Sequence, residues 1–139
     1  PGAYLLMDAK YAQNEDTAFH QALYVHATCI SADEASGKRI LDAGTKALDL
    51  LAGMPTVTSL FDEALATALA RCVYTEGGCE HGILRGVPAG VLDVGTTVQL
   101  VPADLYPTVN RHAYLVGVRG GTAEVVFPID ARYSAPSRL

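Results

Sequence analysis

Long apolar runs, an excess of one charge and a cysteine framework are all missing from this sequence, and each absence removes a class of function. No apolar stretch approaches the roughly 20 residues needed to cross a bilayer, and the opening Pro1-Gly2-Ala3-Tyr4 lacks the charged start of a secretion signal. The expectation is a soluble protein without a membrane partner. The formal net charge of -5, with no run of five like charges, offers neither a footprint for nucleic acid nor a polybasic membrane patch. Only three cysteines occur, Cys29, Cys72 and Cys79, with no CxxC pair. A structural zinc or a secreted disulfide scaffold is therefore not indicated, and a reducing, cytoplasmic setting is the simplest reading. GxSxG, P-loop and GxGxxG motifs are absent from the required strand and helix contexts, and no internal repeat or linker divides the chain.

What is present is enough for one core: half of the 139 residues are apolar, so one domain can close without covalent staples. The chain does not begin with Met and opens in what reads as a strand, so it is expected to be a piece of a longer one. Short apolar runs bounded by turn residues predict strands over 4–11, 22–31, 38–43, 71–75, 81–85, 96–102, 112–119 and 122–128. Val98 and Leu100 alternate with Thr97 and Gln99, and Ala123, Val125 and Phe127 alternate with their neighbours, which predicts half-buried strands. Gly120-Gly121 predicts a two-residue hairpin turn. Residues 59–70 predict a helix: Ser59 as cap, Asp62 and Glu63 in the first turn, and Phe61, Leu65, Ala68 and Leu69 on one face. Thr45 to Leu51, ended by Gly53 and Pro55, adds a further helical turn. The fold class is mainly β, a closed or partly open β-barrel with one or two short inserted helices, an arrangement that leaves few exposed strand edges.

Two polar clusters are candidates for chemistry. In Pro102-Ala103-Asp104-Leu105-Tyr106-Pro107-Thr108-Val109-Asn110, Asp104 and Tyr106 are two apart, so in an extended segment both side chains leave on one side. Two oxygen donors so placed can hold a hard cation or orient a substrate; an ordinary solvated turn uses the same residue types. In Thr75-Glu76-Gly77-Gly78-Cys79-Glu80-His81-Gly82, the glycines allow close backbone approach and His81 can serve as base or ligand, against the plainer reading of a hairpin tip with a surface histidine. His20, His26 and His112 lie in or beside apolar runs and read as hydrogen-bonded structural residues. Lys46 follows a glycine turn; a phosphate or carboxylate partner is possible, with a solvated lysine as the bland alternative. Cys79 beside Glu80 is not a candidate nucleophile, because a neighbouring carboxylate disfavours the thiolate.

Four segments, in order, resemble the C-terminal domain of D-threonine aldolases, 3-hydroxy-D-aspartate aldolases and D-serine dehydratases, which are alanine-racemase-like enzymes of pyridoxal phosphate. They are Gly2-Ala3-Tyr4-Leu5-Leu6-Met7-Asp8, Asp42-Ala43-Gly44-Thr45-Lys46-Ala47-Leu48, Glu80-His81-Gly82 and Pro107-Thr108-Val109-Asn110. The resemblance implies that residues 1–139 are the C-terminal β domain of a two-domain lyase, that an N-terminal α/β barrel outside this sequence carries the cofactor, and that the partners are this barrel, a small D-amino acid and a second copy in a homodimer. The implied reaction is aldol cleavage of a D-3-hydroxy amino acid to glycine and an aldehyde, or β-elimination of water. It also implies a divalent metal held by a histidine and, two residues on, a cysteine or aspartate, just before Pro-Thr-Val-Asn. Those positions here are Asp104 and Tyr106, a harder and poorer pair, since a phenol ionises only near pH 10. Either Asp104 anchors a hard cation, or the metal is lost and Tyr106 acts as hydrogen-bond donor or acid/base. Asp104, Tyr106 and His81 are the expected catalytic positions; no residue of this chain is expected to bind the cofactor itself. The competing readings are a metal-independent racemase or lyase for another D-amino acid, and a noncatalytic oligomerisation or ligand-binding domain.

Overall fold

A computed structural model of the chain describes residues 2–16 and 18–130. Six strands form one antiparallel sheet: β1 (Val25–Asp33), β2 (Lys38–Leu41), β3 (Thr56–Thr58), β4 (Val73–Glu76), β5 (Gly82–Arg85) and β6 (Thr97–Val101), in the order β3-β6-β1-β2-β5-β4. β1 is long because it serves two partners. Its first half pairs with β6 and its second half with β2, with a register shift between Cys29 and Ser31 where the strand bends. That bend curls the sheet until the edge strands β3 and β4 touch, with α1 (Glu63–Leu69) packed on β3. The result is the expected mainly β fold, a nearly closed barrel with two short helices, the second being α2 (Leu105–Val109).

Alternation along the strands fills the barrel. Val25, Ala27 and Cys29 of β1, Leu41 of β2, Tyr74 of β4, Leu84 of β5 and Val98 and Leu100 of β6 meet in one cluster with Leu48 and Leu69. Each fully buried leucine contributes on the order of 2 kcal/mol. One member of the interior is charged. The Arg39 side chain is fully buried and donates to the carbonyls of Val91 (2.9 Å), Leu92 (2.9 Å), Asp33 and Lys38 (both 3.2 Å), while its Nη2 meets Glu34 at 2.5 Å. It thereby straps the loop after β5 onto the β1–β2 hairpin. Tyr74 makes a second internal tie: its hydroxyl donates to the Ala43 carbonyl at 2.6 Å, and its ring covers Gly82, where a Cβ would lie 2.1–2.5 Å from ring atoms.

Several expectations hold and several are corrected. The Gly120-Gly121 turn joins β7 (Tyr114–Arg119) to β8 (Thr122–Pro128), with φ of +55° and +81° as such a turn requires. The single turn near Thr45 forms, with the Leu48 amide donating to the Gly44 carbonyl at 3.0 Å. The helix within 59–70 starts later than expected: Asp62, not Ser59, caps it, its carboxylate accepting from the Leu65 amide at 2.9 Å, and Phe61 stays outside and exposed. Residues 4–11 are not a strand; the segment makes two 3-10 turns, Ala3–Leu5 and Tyr11–Gln13, held by local bonds such as the Leu6 amide to the Ala3 carbonyl (3.0 Å) and the Tyr11 amide to the Asp8 carboxylate (2.8 Å). The short β3 follows Pro55 and is too brief to leave a pattern. Gln99, expected on a solvated face, is buried: β6 lies between β1 and β3, and the Gln99 amide accepts from the Leu60 amide (2.8 Å) and meets His26 Nδ1 (3.1 Å). Conversely β8, expected to give one face to the core, is exposed along its whole length, because among the described residues β7 and β8 pair only with each other. No helix among the described residues is long and apolar enough to cross a membrane.

Removing Arg39 strands four carbonyls and one carboxylate. Arg39→Ala is expected to lower unfolding free energy by about 3 kcal/mol or more, whereas Glu34→Gln, which keeps an acceptor at a half-exposed position, costs about 1 kcal/mol or less; urea denaturation distinguishes them. Burial, with the charge of Glu76 added, pushes Tyr74 up to about 12 in the folded chain. Between about pH 10 and 12 the unfolded chain therefore releases a proton that the folded one keeps. Stability from this group is complete below pH 10 and declines above it, and Tyr74→Phe should flatten that decline in denaturation series across pH 8–12.

Candidate functional site

Asp8 begins the site. The chain turns at Met7, a buried residue held at φ +59°, where a side chain costs on the order of 1–2 kcal/mol; Gln21 holds its carbonyl with a 3.0 Å hydrogen bond. The turn aims the Asp8 carboxylate inward, where it is buried and accepts from the Tyr11 amide through Oδ1 (2.8 Å) and from the Leu105 amide through Oδ2 (3.1 Å). It thus joins the start of the chain to α2, 97 residues away. The Ala3 amide donates to the Tyr106 hydroxyl at 3.0 Å, and the Ala9 amide to the Pro102 carbonyl at 3.0 Å. Ala3, Leu23 and Leu105 form a small apolar cluster beneath.

The first turn of α2 explains its own sequence. Of its orphan amides, that of Leu105 goes to Asp8, that of Tyr106 goes to the Asp104 carboxylate (3.1 Å), and the third position is Pro107, which has none. Between this turn and the N-terminal segment lies an open cleft of about 340 Å³ lined by Asp8, Lys10, Tyr11, Asn14, Asp104 and Tyr106.

A second junction holds the other two motifs. The turn at Gly44 lies directly on the loop before β5: a Cβ on Gly44 would fall 2.4–2.6 Å from Gly78 O, His81 N and Cys79 O. Only glycine permits this approach. The Thr45 and Lys46 amides donate to the Gly78 and Cys79 carbonyls at 3.1 and 3.0 Å, and Lys46 forms a surface ion pair with Glu80 that holds the ammonium above its ordinary range. On its other side the same segment meets the residues around α2. The Asp49 amide donates to Thr108 Oγ1 (3.2 Å), the Asp49 carboxylate pairs with Arg111 (2.5 Å), and His112 Nε2 lies 2.8 Å from the Ala47 carbonyl. Together with the residues that flank them, all four resemblance segments are thereby linked through backbone and side-chain contacts.

Asp104 and Tyr106 share the cleft, as their spacing suggested, but not by the expected geometry. The segment is helical from Leu105 rather than extended, and Pro107 did not break it because a first-turn position needs no amide. His81 does not line the cleft; it sits exposed at the β4–β5 turn. His26 and His112 are hydrogen-bonded, as expected, and Lys46 takes a carboxylate partner, Glu80. Asp8, Lys10, Tyr11 and Asn14 escaped the reading by spacing; Asp8 lay inside a quoted segment, but nothing local marks a carboxylate that works across 97 residues.

The donors do not suit a divalent cation. Both oxygens of Asp8 are occupied by amides, one of Asp104's caps the helix, and the Tyr106 oxygen already accepts from Ala3. Among the described residues no three His, Cys, Asp or Glu side chains gather into a metal-sized group.

Comparison with known proteins places this arrangement. Over 135 residues the chain is 38% identical to D-threonine aldolase of an Arthrobacter species, covering 94% of this chain and 33% of that protein. It is 32% identical to 3-hydroxy-D-aspartate aldolase of Paracoccus denitrificans, again over 94% of this chain and 33% of the relative. It spans about a third of the length of these relatives. The crystal structure of D-threonine aldolase from Filomicrobium marinum superposes with a TM-score of 0.75 at 33% identity, covering 95% of this chain and 34% of the other. D-threo-3-hydroxyaspartate dehydratase from Delftia sp. HT23, at 22% identity and a TM-score of 0.72 over 92% of this chain and 38% of that one, shares the fold. The family described as putative serine dehydratase domain matches residues 22–118, and to that family the chain belongs.

Proposed function

We propose that the protein to which this chain belongs is a pyridoxal-phosphate lyase of D-3-hydroxy amino acids, cleaving them to glycine and an aldehyde or eliminating water, and that this chain is its C-terminal β domain. The observation that carries the proposal is the convergence of the four segments on linked junctions, one of which opens as a polar cleft beside Asp104 and Tyr106. Identity of 38% and 32% to two aldolases of D-3-hydroxy amino acids supports the substrate class. The cofactor is assigned to an N-terminal α/β barrel outside this chain; when bound there, it supplies an electron sink for breaking a bond next to the amino acid's α carbon.

The chain's own residues form one wall of the reaction space. Asp104 presents a carboxylate oxygen that makes no hydrogen bond among the described residues, and Tyr106 a hydroxyl fixed in place by the Ala3 amide. Together they orient the substrate's 3-hydroxyl and take or return its proton. Lys10 in the same cleft offsets the two carboxylates. His81 lies outside this cleft, exposed at the β4–β5 turn that the Gly44 contact holds, and would meet substrate only from a second wall.

The β7–β8 hairpin supports assembly with the barrel and with a second subunit in a cytoplasmic homodimer. Tyr114, Val116, Val118, Val125, Val126 and Phe127 are all exposed on it, and an isolated two-strand ribbon is marginal in water. Free Cys29, Cys72 and Cys79 accord with a reducing compartment.

In the full-length protein, Asp104→Ala is expected to reduce kcat by about 10²-fold or more while absorbance near 420 nm stays unaltered. Asp104→Asn, which keeps a capping oxygen, should lose comparable activity with less effect on stability. Unchanged turnover in both variants removes Asp104 from the reaction. The isolated 139-residue chain should self-associate through the hairpin, so that light scattering gives a mass above the monomer; a monodisperse monomer contradicts the interface.

A further inference from the structure

We infer that this protein meets its substrate hydroxyl directly, without a divalent cation in the cleft. The inference rests on the reading of that cleft as the substrate site, and it comes from how the oxygen donors are spent. The cleft contains four acidic or phenolic side chains, Asp8, Tyr11, Asp104 and Tyr106, and only the two aspartates are carboxylates. Asp8 is buried, with one backbone amide on each oxygen, so its orientation is fixed toward the Tyr11 and Leu105 amides and it could turn to a cation in the cleft only by giving up one of them. The Tyr106 oxygen already accepts from the Ala3 amide, and a phenol is a weak ligand. Asp104 Oδ1 caps α2, leaving Oδ2 as the single carboxylate oxygen free of hydrogen bonds among the described residues. One such oxygen, without imidazole or thiolate, falls short of the three or more protein donors usual in zinc sites or the carboxylate-rich shells of manganese. Lys10 lines the same space, and its ammonium adds a positive charge where a cation would have to enter.

The same arrangement suits direct recognition of a polar ligand. A hydroxyl or ammonium entering the cleft finds Asp104 Oδ2 as acceptor and the Tyr106 hydroxyl as donor, both held by backbone contacts that need no rearrangement. The electrostatic pull on the substrate hydroxyl then comes from the Tyr106 O–H and the Lys10 ammonium in place of a metal. The proton leaving the substrate passes to Asp104 and returns to product, so the step balances without a further reactant.

The test uses full-length protein purified without chelator. Metal content is measured by inductively coupled plasma mass spectrometry, and Mn²⁺ and Zn²⁺ are titrated calorimetrically into the native protein and into Asp104→Ala. The expected result is far less than one equivalent of metal per chain, titrations that do not differ between the two proteins, and turnover that stays within about two-fold after dialysis against EDTA. One equivalent of bound metal whose affinity falls by about 10-fold or more in Asp104→Ala overturns the inference, as does turnover abolished by EDTA and restored by Mn²⁺ or Zn²⁺. Failure of the lyase reading shows separately, as a colourless protein without turnover on D-3-hydroxy amino acids, while the titrations still report on the cleft.

Discussion

The absence of a side chain at Gly44 is the constraint on which the rest of the site depends. The backbone of the turn after β2 lies so close to Gly78, Cys79 and His81 that a single methyl group would push the two loops apart. Because they touch, the Thr45 and Lys46 amides reach the opposite carbonyls, and the other side of the turn is free to receive Thr108, Arg111 and His112. The turn is a wedge between the β4–β5 loop and α2, and it transmits the position of the barrel to the helix that carries Tyr106. Tyr74 secures it from below by bonding the Ala43 carbonyl and covering Gly82, so the two glycines of these motifs are explained by two different close approaches.

The N-terminal segment shows how scaffolding and chemistry compete for the same atoms. Asp8 is placed like a ligand, at the floor of a polar cleft, yet both of its oxygens complete backbone hydrogen bonds that would otherwise be orphaned. Asp104 divides its carboxylate between a helix cap and the open cleft, and Tyr106 uses its oxygen to hold Ala3. In such a network the groups are held in place because they are already satisfied.

A different economy governs the hairpin. Its apolar residues stand on both faces, Val125 and Phe127 leaning over Gly117 and Val116 and Val126 opposite, with little beneath them except the contact of Leu115 with the cluster of Ala3, Leu23 and Leu105. Ribbons of this composition are stable when something covers them. The same alternating pattern that predicts a half-buried strand is equally the pattern of a strand buried by another body, and composition does not distinguish the two.

Local sequence determined the elements whose signals are short in range. The antiparallel β character, the Gly120-Gly121 turn and the presence of a helix within 59–70 follow from alternation, turn chemistry and periodicity within a dozen residues, although its cap moved from Ser59 to Asp62. Four ordered segments also carried the family. Tertiary structure alone decided that residues 4–11 do not join a sheet, that Gln99 is buried and that Asp8 reaches Leu105. Each of these turns on a hydrogen bond or a covering strand supplied from far along the chain, and the energy of such a contact leaves no mark in the residues that flank it.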